Sequence, residues 1–263
     1  MSDASPSTTA GTPQQGDDPE AAPPARAGAA HGLRWWRELL YIGIFYGIYS
    51  LIRNQFGSAS VPASTALRHA EWVIRVERDL RSFHEQEIQS WFLDWRPFIQ
   101  FWNLFYGTFH FAVTAFCLVW LFTRFPDRYV QWRTTLACTT ALALVGFATF
   151  PLLPPRLLPE QFGFVDTLAE FGGLWSFDSG AMQKVSNQYA AMPSLHFAWS
   201  MWCTLVLVPT LRRPWLRALA IAYPVLTLFA IVVTANHYWL DAAGGALVLA
   251  PGVAAGRWWS GRR

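Results

Sequence analysis

The sequence has little charge, little cysteine and almost no lysine. Of its 263 residues, 14% are charged and 53% are hydrophobic, which is too apolar for an ordinary soluble domain of this size. The net charge is +3 and the basic residues are scattered between apolar runs, which argues against nucleic-acid binding. Cys117, Cys138 and Cys203 all fall in apolar segments, which predicts small buried side chains rather than a disulfide framework or a metal cluster.

Residues 1–33 contain almost no large apolar side chains and are rich in Ala, Pro, Gly, Ser and Thr. Such a segment buries too little surface to offset the entropy of ordering it, so we expect a disordered cytoplasmic tail. The tail has no basic stretch followed by an apolar core and is therefore not predicted to be a signal peptide. Residues 34–263 are predicted to form one membrane domain.

Long apolar runs are abundant in this domain, and tryptophans cluster near their ends, as they do at membrane interfaces. Six runs have close to the roughly 20-residue length that a bilayer core requires. We therefore predict an all-α fold, a bundle of six transmembrane helices. The predicted spans are residues 36–52, 98–122, 134–153, 194–211, 216–234 and 238–257.

The distribution of positive charge predicts the orientation of the chain in a cell membrane. The short loop 151–193 carries only Arg156 and Lys184, whereas the longer 53–97 segment balances its arginines with acidic residues. The positive-inside rule therefore places both termini in the cytoplasm and the 53–97 segment outside it. The arginines assigned to the cytoplasmic side are Arg26, Arg34, Arg37, Arg124, Arg128, Arg133, Arg212, Arg213, Arg217, Arg257, Arg262 and Arg263.

The 53–97 segment contains a stretch, residues 69–96, with apolar side chains at helical spacing beside mixed charges. This pattern predicts an interfacial amphipathic helix lying over a site, and a solvated helix with internal ion pairs fits it equally well. We interpret Glu77, Glu85 and Glu87 as solvated or structural charges rather than as general bases.

Histidine and carboxylate side chains are scarce from residue 180 onward. The two histidines and one carboxylate of this region, His196, His237 and Asp241, stand in the stretches 191–197 and 236–241 at the edges of predicted spans. Ionisable groups at membrane depth are costly, which makes each of them a candidate functional residue. The orientation places all three at the extracytoplasmic face.

We interpret these residues as the acid, the nucleophile and the orienting carboxylate of a phosphoryl-transfer site. On a helix, His237 and Asp241 share one face, so that the carboxylate accepts a hydrogen bond from the imidazole and leaves the other ring nitrogen free to attack. The product of that attack is a phosphohistidine, and His196 is available to protonate the leaving oxygen. We therefore predict His196, His237 and Asp241 as catalytic residues.

Four further residues are candidates for binding the phosphate. Pro193 is suited to the first turn of a helix, which places Ser194 at a helix N-terminus, where anions bind readily. Arg156 follows the third span on the same face and suits bidentate binding of phosphate oxygens. Lys184 and Asn236 are weaker candidates for the same role.

These motifs resemble the PAP2 (type 2 phosphatidic acid phosphatase) superfamily, and most closely its inositolphosphotransferase branch, similar to inositol phosphorylceramide synthase and sphingomyelin synthase. The branch motifs Pro-Pro-Arg, Ala-Met-Pro-Ser-Leu-His and Asn-His-Tyr-x-x-Asp stand here at 154–156, 191–196 and 236–241. The sequence lacks the Lys-x6-Arg-Pro and Ser-Arg elements usual in the superfamily's phosphatases, and Ile231 stands six positions before His237. This departure argues against a typical phosphatidic acid phosphatase.

The resemblance implies a six-span bundle of the PAP2 type, with His237 as nucleophile, Asp241 as its orienting carboxylate and His196 as acid. It also implies phosphate binding by Ser194 and Arg156. The expected function is phosphoryl transfer on a lipid phosphate or phosphodiester at the extracytoplasmic face. Transfer to water is a phosphatase reaction and transfer to an alcohol is a phosphotransferase reaction, and both stay open.

Two alternative functions and one further group of polar residues bear on this prediction. A non-enzymatic transporter or scaffold is expected to show internal repeats between its halves, and the sequence shows none. A paired-histidine haem or metal site is less consistent with histidines at span ends beside a single carboxylate, so we expect no metal and no cofactor. Asn103, Tyr106 and His110 recur at helical spacing, which favours contacts between helices or a lining for lipid access over catalysis.

Overall fold

The computed structural model describes residues 34–56, 61–172 and 189–262. The predicted tail at residues 1–33 and the candidate Lys184 lie outside these ranges. Within them the chain is helical, and an isolated bridge between Leu152 and Ala190 is the only β-type pairing. The α-helices of these ranges are α1 (Trp35–Phe56), α2 (Ala63–Asp79), α3 (Glu85–Ser90), α4 (Arg96–Arg124), α5 (Pro126–Thr149), α6 (Thr167–Phe171), α7 (Leu195–Leu207), α8 (Pro214–Val233) and α9 (Trp239–Ser260).

Three helices of the described chain are long and apolar enough to cross a membrane: α4, α8 and α9. Each overlaps a predicted span. The predicted spans at 36–52 and 134–153 correspond to α1 and α5, which are long but less apolar. The span at 194–211 corresponds to α7, a shorter apolar helix. The all-helical fold is therefore confirmed for the described residues, its three apolar helices are compatible with a membrane protein, and the count of six spans stays a prediction.

Close packing of α9 against α5 forms the most extensive helix contact of the bundle. Gly252 and Gly256 allow this approach, because a Cβ atom at either position would collide with the hydroxyl of Thr139 or Thr135. Small residues let backbones of membrane helices come together and so gain van der Waals contact. An aromatic core fills the space between α4, α7 and α8, where Trp202 is fully buried.

The 69–96 stretch does not form one helix, so that prediction is wrong in its extent. Helix α2 ends at Asp79, the chain turns through Arg81 with a φ of 56°, and the short helix α3 follows before α4 begins. The Ser82 amide donates to the Glu77 carbonyl at 2.8 Å, a bond that closes the end of α2. The helical spacing is confirmed within α2, whose buried face is Ala66, Ala70, Val73, Ile74 and Glu77.

Candidate active site

The two histidine motifs meet where the N-termini of α7 and α9 lie side by side. The amide of Ser194 donates to the carbonyl oxygen of Asp241 at 2.8 Å, which fixes the start of α7 against the first turn of α9. Gly245 makes this contact possible, because a Cβ atom there would collide with the Ser194 carbonyl. The backbone thus brings together side chains that lie more than forty residues apart in sequence.

His237 pairs with Asp241 as predicted, although the two residues do not share a helix. His237 lies ahead of the first residue of α9, after a turn in which Ala235 has a φ of 51°. Side chains in a first helical turn point toward the helix N-terminus, and Asp241 therefore reaches back. Its Oδ2 lies 3.1 Å from His237 Nδ1 and also accepts a 3.0 Å hydrogen bond from the amide of Tyr238.

His196 lies in the first turn of α7 and contacts the other ring nitrogen of His237. The distance from His196 Nδ1 to His237 Nε2 is 3.3 Å. His237 is 3% exposed and Asp241 is fully buried. Because the carboxylate accepts at Oδ2, Nδ1 of His237 carries the proton and Nε2 presents a lone pair toward His196. The arrangement provides a nucleophilic nitrogen and an adjacent proton carrier in a water-poor space.

Ser194 is the N-cap of α7, and its side chain is already engaged. Its hydroxyl oxygen accepts a 3.4 Å hydrogen bond from the amide of Phe197, and the residue is fully buried. Pro193 comes before this cap rather than in the first helical turn, so its predicted place was wrong. Capping fixes the orientation of the helix that carries His196. Phosphate binding by Ser194 stays a prediction.

Arg156 is held next to the histidine turn by its backbone and its side chain. Its amide donates to the carbonyl of Ala235 at 2.8 Å, and its Nε donates to Asn236 Oδ1 at 3.1 Å. Its Nη1 forms a 2.7 Å ion pair with Asp166 Oδ2. The nitrogen Nη2 takes no part in these contacts. The guanidinium is therefore oriented on two sides and keeps donor capacity for an anion.

Asp166 was not predicted as a site residue. It is the N-cap of α6, and its Oδ1 accepts from the amides of Leu168 and Ala169 at 3.2 and 3.3 Å. An aspartate directly ahead of a short helical run is a recognisable capping signal, whereas its pairing with Arg156 depends on the fold. Asn236 contacts Arg156 and donates through Nδ2 to Thr234 Oγ1 at 2.8 Å, and its binding of phosphate stays a prediction.

The polar stripe on α4 has two separate roles. Asn103 binds the α6 segment, with Nδ2 donating to the carbonyls of Thr167 and Gly172 at 2.8 and 3.0 Å. Tyr106 and His110 instead pack against the His196 ring, with centroid distances of 4.2 and 4.1 Å. This contact with the site was not predicted, since helical spacing alone does not show which neighbouring helix a polar stripe faces.

Of the three glutamates interpreted as solvated or structural charges, one is solvated and two are structural. Glu87 is exposed and pairs with His84, as expected of a solvated charge. Glu77 and Glu85 are fully buried, which agrees with a structural role and excludes a solvated one.

Among residues 34–56, 61–172 and 189–262, no group of three or more His, Cys, Asp or Glu side chains is placed to hold a metal ion.

Comparison with known proteins gives one match. The family profile described as the PAP2 superfamily matches residues 71–255, more than two thirds of the chain. The matched range begins within α2 and ends within α9, so it includes every described candidate residue of the site. No curated protein and no solved structure matches the chain.

Proposed function

Because the chain belongs to the PAP2 superfamily, whose members are generally phosphatases or phosphotransferases, we propose that it transfers the phosphoryl group of a lipid phosphate or phosphodiester through His237. The observation that carries the proposal is the chain of contacts from Asp241 to His237 to His196, with separations of 3.1 and 3.3 Å. It supplies an oriented nucleophile and an acid within reach of one phosphorus atom.

In the first step, Nε2 of His237 attacks phosphorus and the bond from phosphorus to the leaving oxygen breaks. The leaving oxygen takes its proton from His196, while Asp241 stabilises the positive charge that develops on His237. The two rings are 3.3 Å apart, so the phosphate must part them to enter. Arg156 lies beside this position and neutralises charge on the non-bridging oxygens.

In the second step, the oxygen of water or of an alcohol attacks the phosphohistidine. His196 accepts the proton of the attacking oxygen, the N–P bond breaks, and His237 returns to its initial form. Attack by water releases phosphate, whereas attack by an alcohol forms a new ester. The resemblance to the inositolphosphotransferase branch favours an alcohol, so we propose head-group transfer as the finer activity.

A lipid substrate is supported by where the site lies along the helices. His196 and Asp241 lie in the first turns of α7 and α9, two apolar helices of the bundle. The arginine pair Arg212 and Arg213 follows the other end of α7, and Arg257 and Arg262 lie at the other end of α9. By the positive-inside rule the site then faces the extracytoplasmic leaflet, where lipid head groups are accessible.

The proposal is tested with detergent-purified protein, EDTA, and a panel of phosphatidic acid, phosphatidylinositol and a polyprenyl diphosphate. Phosphate release and head-group exchange with added polyols are measured for the wild type, His237→Ala and the control His69→Gln. His69 is a suitable control because its ring contacts the Pro151 carbonyl rather than the site. We expect turnover by the wild type and control only. Folded protein without turnover of any panel lipid, or turnover by His237→Ala, contradicts the proposal.

A further inference from the structure

Side chains from a distant part of the chain accept hydrogen bonds from the N-terminal amides of α9. The first amides of a helix have no acceptor within the helix. Here Trp239 and Leu240, the first two residues of α9, donate to Oε1 of Glu85 and Oε1 of Glu77 at 3.2 and 2.8 Å. One carboxyl group of α2 and one of α3 therefore cap the helix that carries Asp241, which begins two residues after His237.

The capping carboxyl groups form a buried pair. Both residues are fully buried, and neither Oε2 receives a hydrogen bond from an amide or a hydroxyl group within the part of the chain that the structure describes. Two adjacent buried carboxylates repel each other, so the stable arrangement holds one shared proton. Burial, followed by the hydrogen bond and charge of Glu85, raises the pKa of Glu77 to about 10.

Helix α3 also contacts the part of the chain that pairs with Arg156. Gln89 of α3 is fully buried and bonds the backbone of Val165 twice: its Nε2 donates to the carbonyl at 2.9 Å and its Oε1 accepts from the amide at 2.9 Å. Val165 precedes Asp166, whose carboxylate is paired with Arg156. One short segment therefore contacts the neighbours of both the nucleophile and the phosphate-binding candidate.

We infer that Glu77, Glu85 and Gln89 are positioning residues, through which the α2–α3 segment holds the His237 turn and the Arg156 loop in mutual register. This inference rests on the proposed function. None of the three touches the reacting groups in the structure; they act through residues 239, 240 and 165. A displacement of about 1 Å between reacting groups lowers turnover by about 100-fold, which makes register the property that such residues protect.

Loss of the shared proton is expected to disrupt this register. The ionisable groups that face the pair from α9 and the residue before it are Asp241 and Tyr238, and neither supplies a positive charge. His237, on the far side of Asp241, pairs with that carboxylate instead. A second negative charge in the pair therefore meets no positively charged side chain among these groups, and repulsion between the two carboxylates pushes α2 away from α3.

The test compares Glu77→Ala, Glu77→Gln and the exposed control Glu87→Gln, using the panel lipid that the wild type turns over fastest. Glutamine reproduces the protonated carboxyl, accepting from Leu240 and donating to Glu85, but cannot ionise. We expect Glu77→Ala to lower kcat by about 100-fold with KM nearly unchanged. Glu77→Gln should restore kcat to within about threefold of wild type. It should also keep its activity above about pH 10, where the wild type declines.

The outcomes separate this inference from the proposed function. An active wild type with unchanged kcat in Glu77→Ala overturns the inference and leaves the function intact. A Glu77→Gln variant that is as impaired as Glu77→Ala, or that keeps the alkaline decline of the wild type, also overturns it. A folded wild type without phosphoryl transfer on any panel lipid overturns the proposed function and this inference with it. Gln89→Ala provides a second probe, with the same expected fall in kcat.

Discussion

Both ends of the helical bundle contain a buried acidic side chain, but the hydrogen bonding at the two ends differs. At the end opposite the site, Glu38 of α1 is 7% exposed and contacts Arg133 through both carboxylate oxygens and the hydroxyl of Tyr129 at 3.1 Å. At the site end, Asp241 contacts His237 and the Tyr238 amide through Oδ2, while Oδ1 is buried with no partner among the described residues.

This difference distinguishes a structural ion pair from the histidine–aspartate contact of the proposed site. Burying a charge costs free energy, and full pairing of the Glu38 carboxylate offsets that cost. The pairing also holds α1 against α5. At the site end, the acceptors of Asp241, Glu77 and Glu85 are incompletely used. Free capacity of this kind is expected where protons move or a substrate binds.

The largest expected effect comes from Asp241→Asn. Asparagine keeps the shape and can still accept from the Tyr238 amide, but it no longer stabilises the positive charge or the tautomer of His237. We expect kcat to fall by about 10³- to 10⁴-fold with little change in thermal stability. The measurement is kcat and the melting temperature in the same detergent. A variant that loses folding as well as activity shows that Asp241 is structural, as Glu38 is.

The second prediction concerns the opposite end. Glu38→Gln leaves the Arg133 guanidinium partly buried without its counter-charge. We expect a loss of about 3 kcal/mol of stability and no change in the kcat of the protein that stays folded. Thermal unfolding followed by residual-activity assays checks this. A fall in kcat at full stability contradicts the separation between the two ends.

The third prediction concerns Arg156→Lys. Lysine keeps the positive charge but cannot contact Asn236, Asp166 and a phosphate at the same time, as a guanidinium can. We expect kcat/KM to fall by about 10- to 100-fold, which corresponds to the loss of a charge-assisted hydrogen bond. Steady-state kinetics provide the measurement, and Arg133→Lys at the opposite end is the matched control. Equal losses of kcat/KM in both variants refute a specific role for Arg156.

The smallest expected effect is the change in the free energy of unfolding over one pH unit. Burial and the neighbouring Glu85 raise the pKa of Glu77 from 4.5 to about 10, so the folded chain holds a proton that the unfolded chain releases in this interval. Stability therefore falls as pH rises, by at most about 1.4 kcal/mol for each unit. Glu77→Gln removes this contribution, and Glu87→Gln keeps the wild-type slope. Melting temperatures across this pH interval decide the matter, and equal slopes in all three proteins count against the buried pair.

The sequence was sufficient to predict the central residues because their chemistry is unusual for their surroundings. His196, His237 and Asp241 are polar groups in apolar segments, and the structure places them in mutual contact. The pairing of His237 with Asp241 was predicted on the assumption that both share one helix, which is wrong because His237 lies before α9. The turn at Ala235 that puts it there is not marked by a glycine.

The supporting residues could not be predicted, because their contacts depend on the fold. Glu77 and Glu85 reach amides 163 and 154 residues away, and charged side chains in a mixed polar stretch do not indicate such partners. Asp166 was recognisable as a helix cap but not as the partner of Arg156. The stripe at Tyr106 and His110 was recognised, but its contact with His196 requires the crossing of α4 and α7.

The central claim is that His237 carries the phosphoryl group between the two steps. The most direct measurement is trapping of the protein by a quench in alkaline detergent, using the panel lipid that the wild type turns over fastest, labelled with ³²P in its phosphate, followed by peptide mapping at alkaline pH. We predict a label on the peptide that contains His237, stable in alkali and lost in acid as a phosphoramidate is, and absent from His237→Ala. In His196→Ala the label should form slowly and persist. Turnover of labelled lipid by the wild type with no protein-bound phosphate at any time point contradicts the claim.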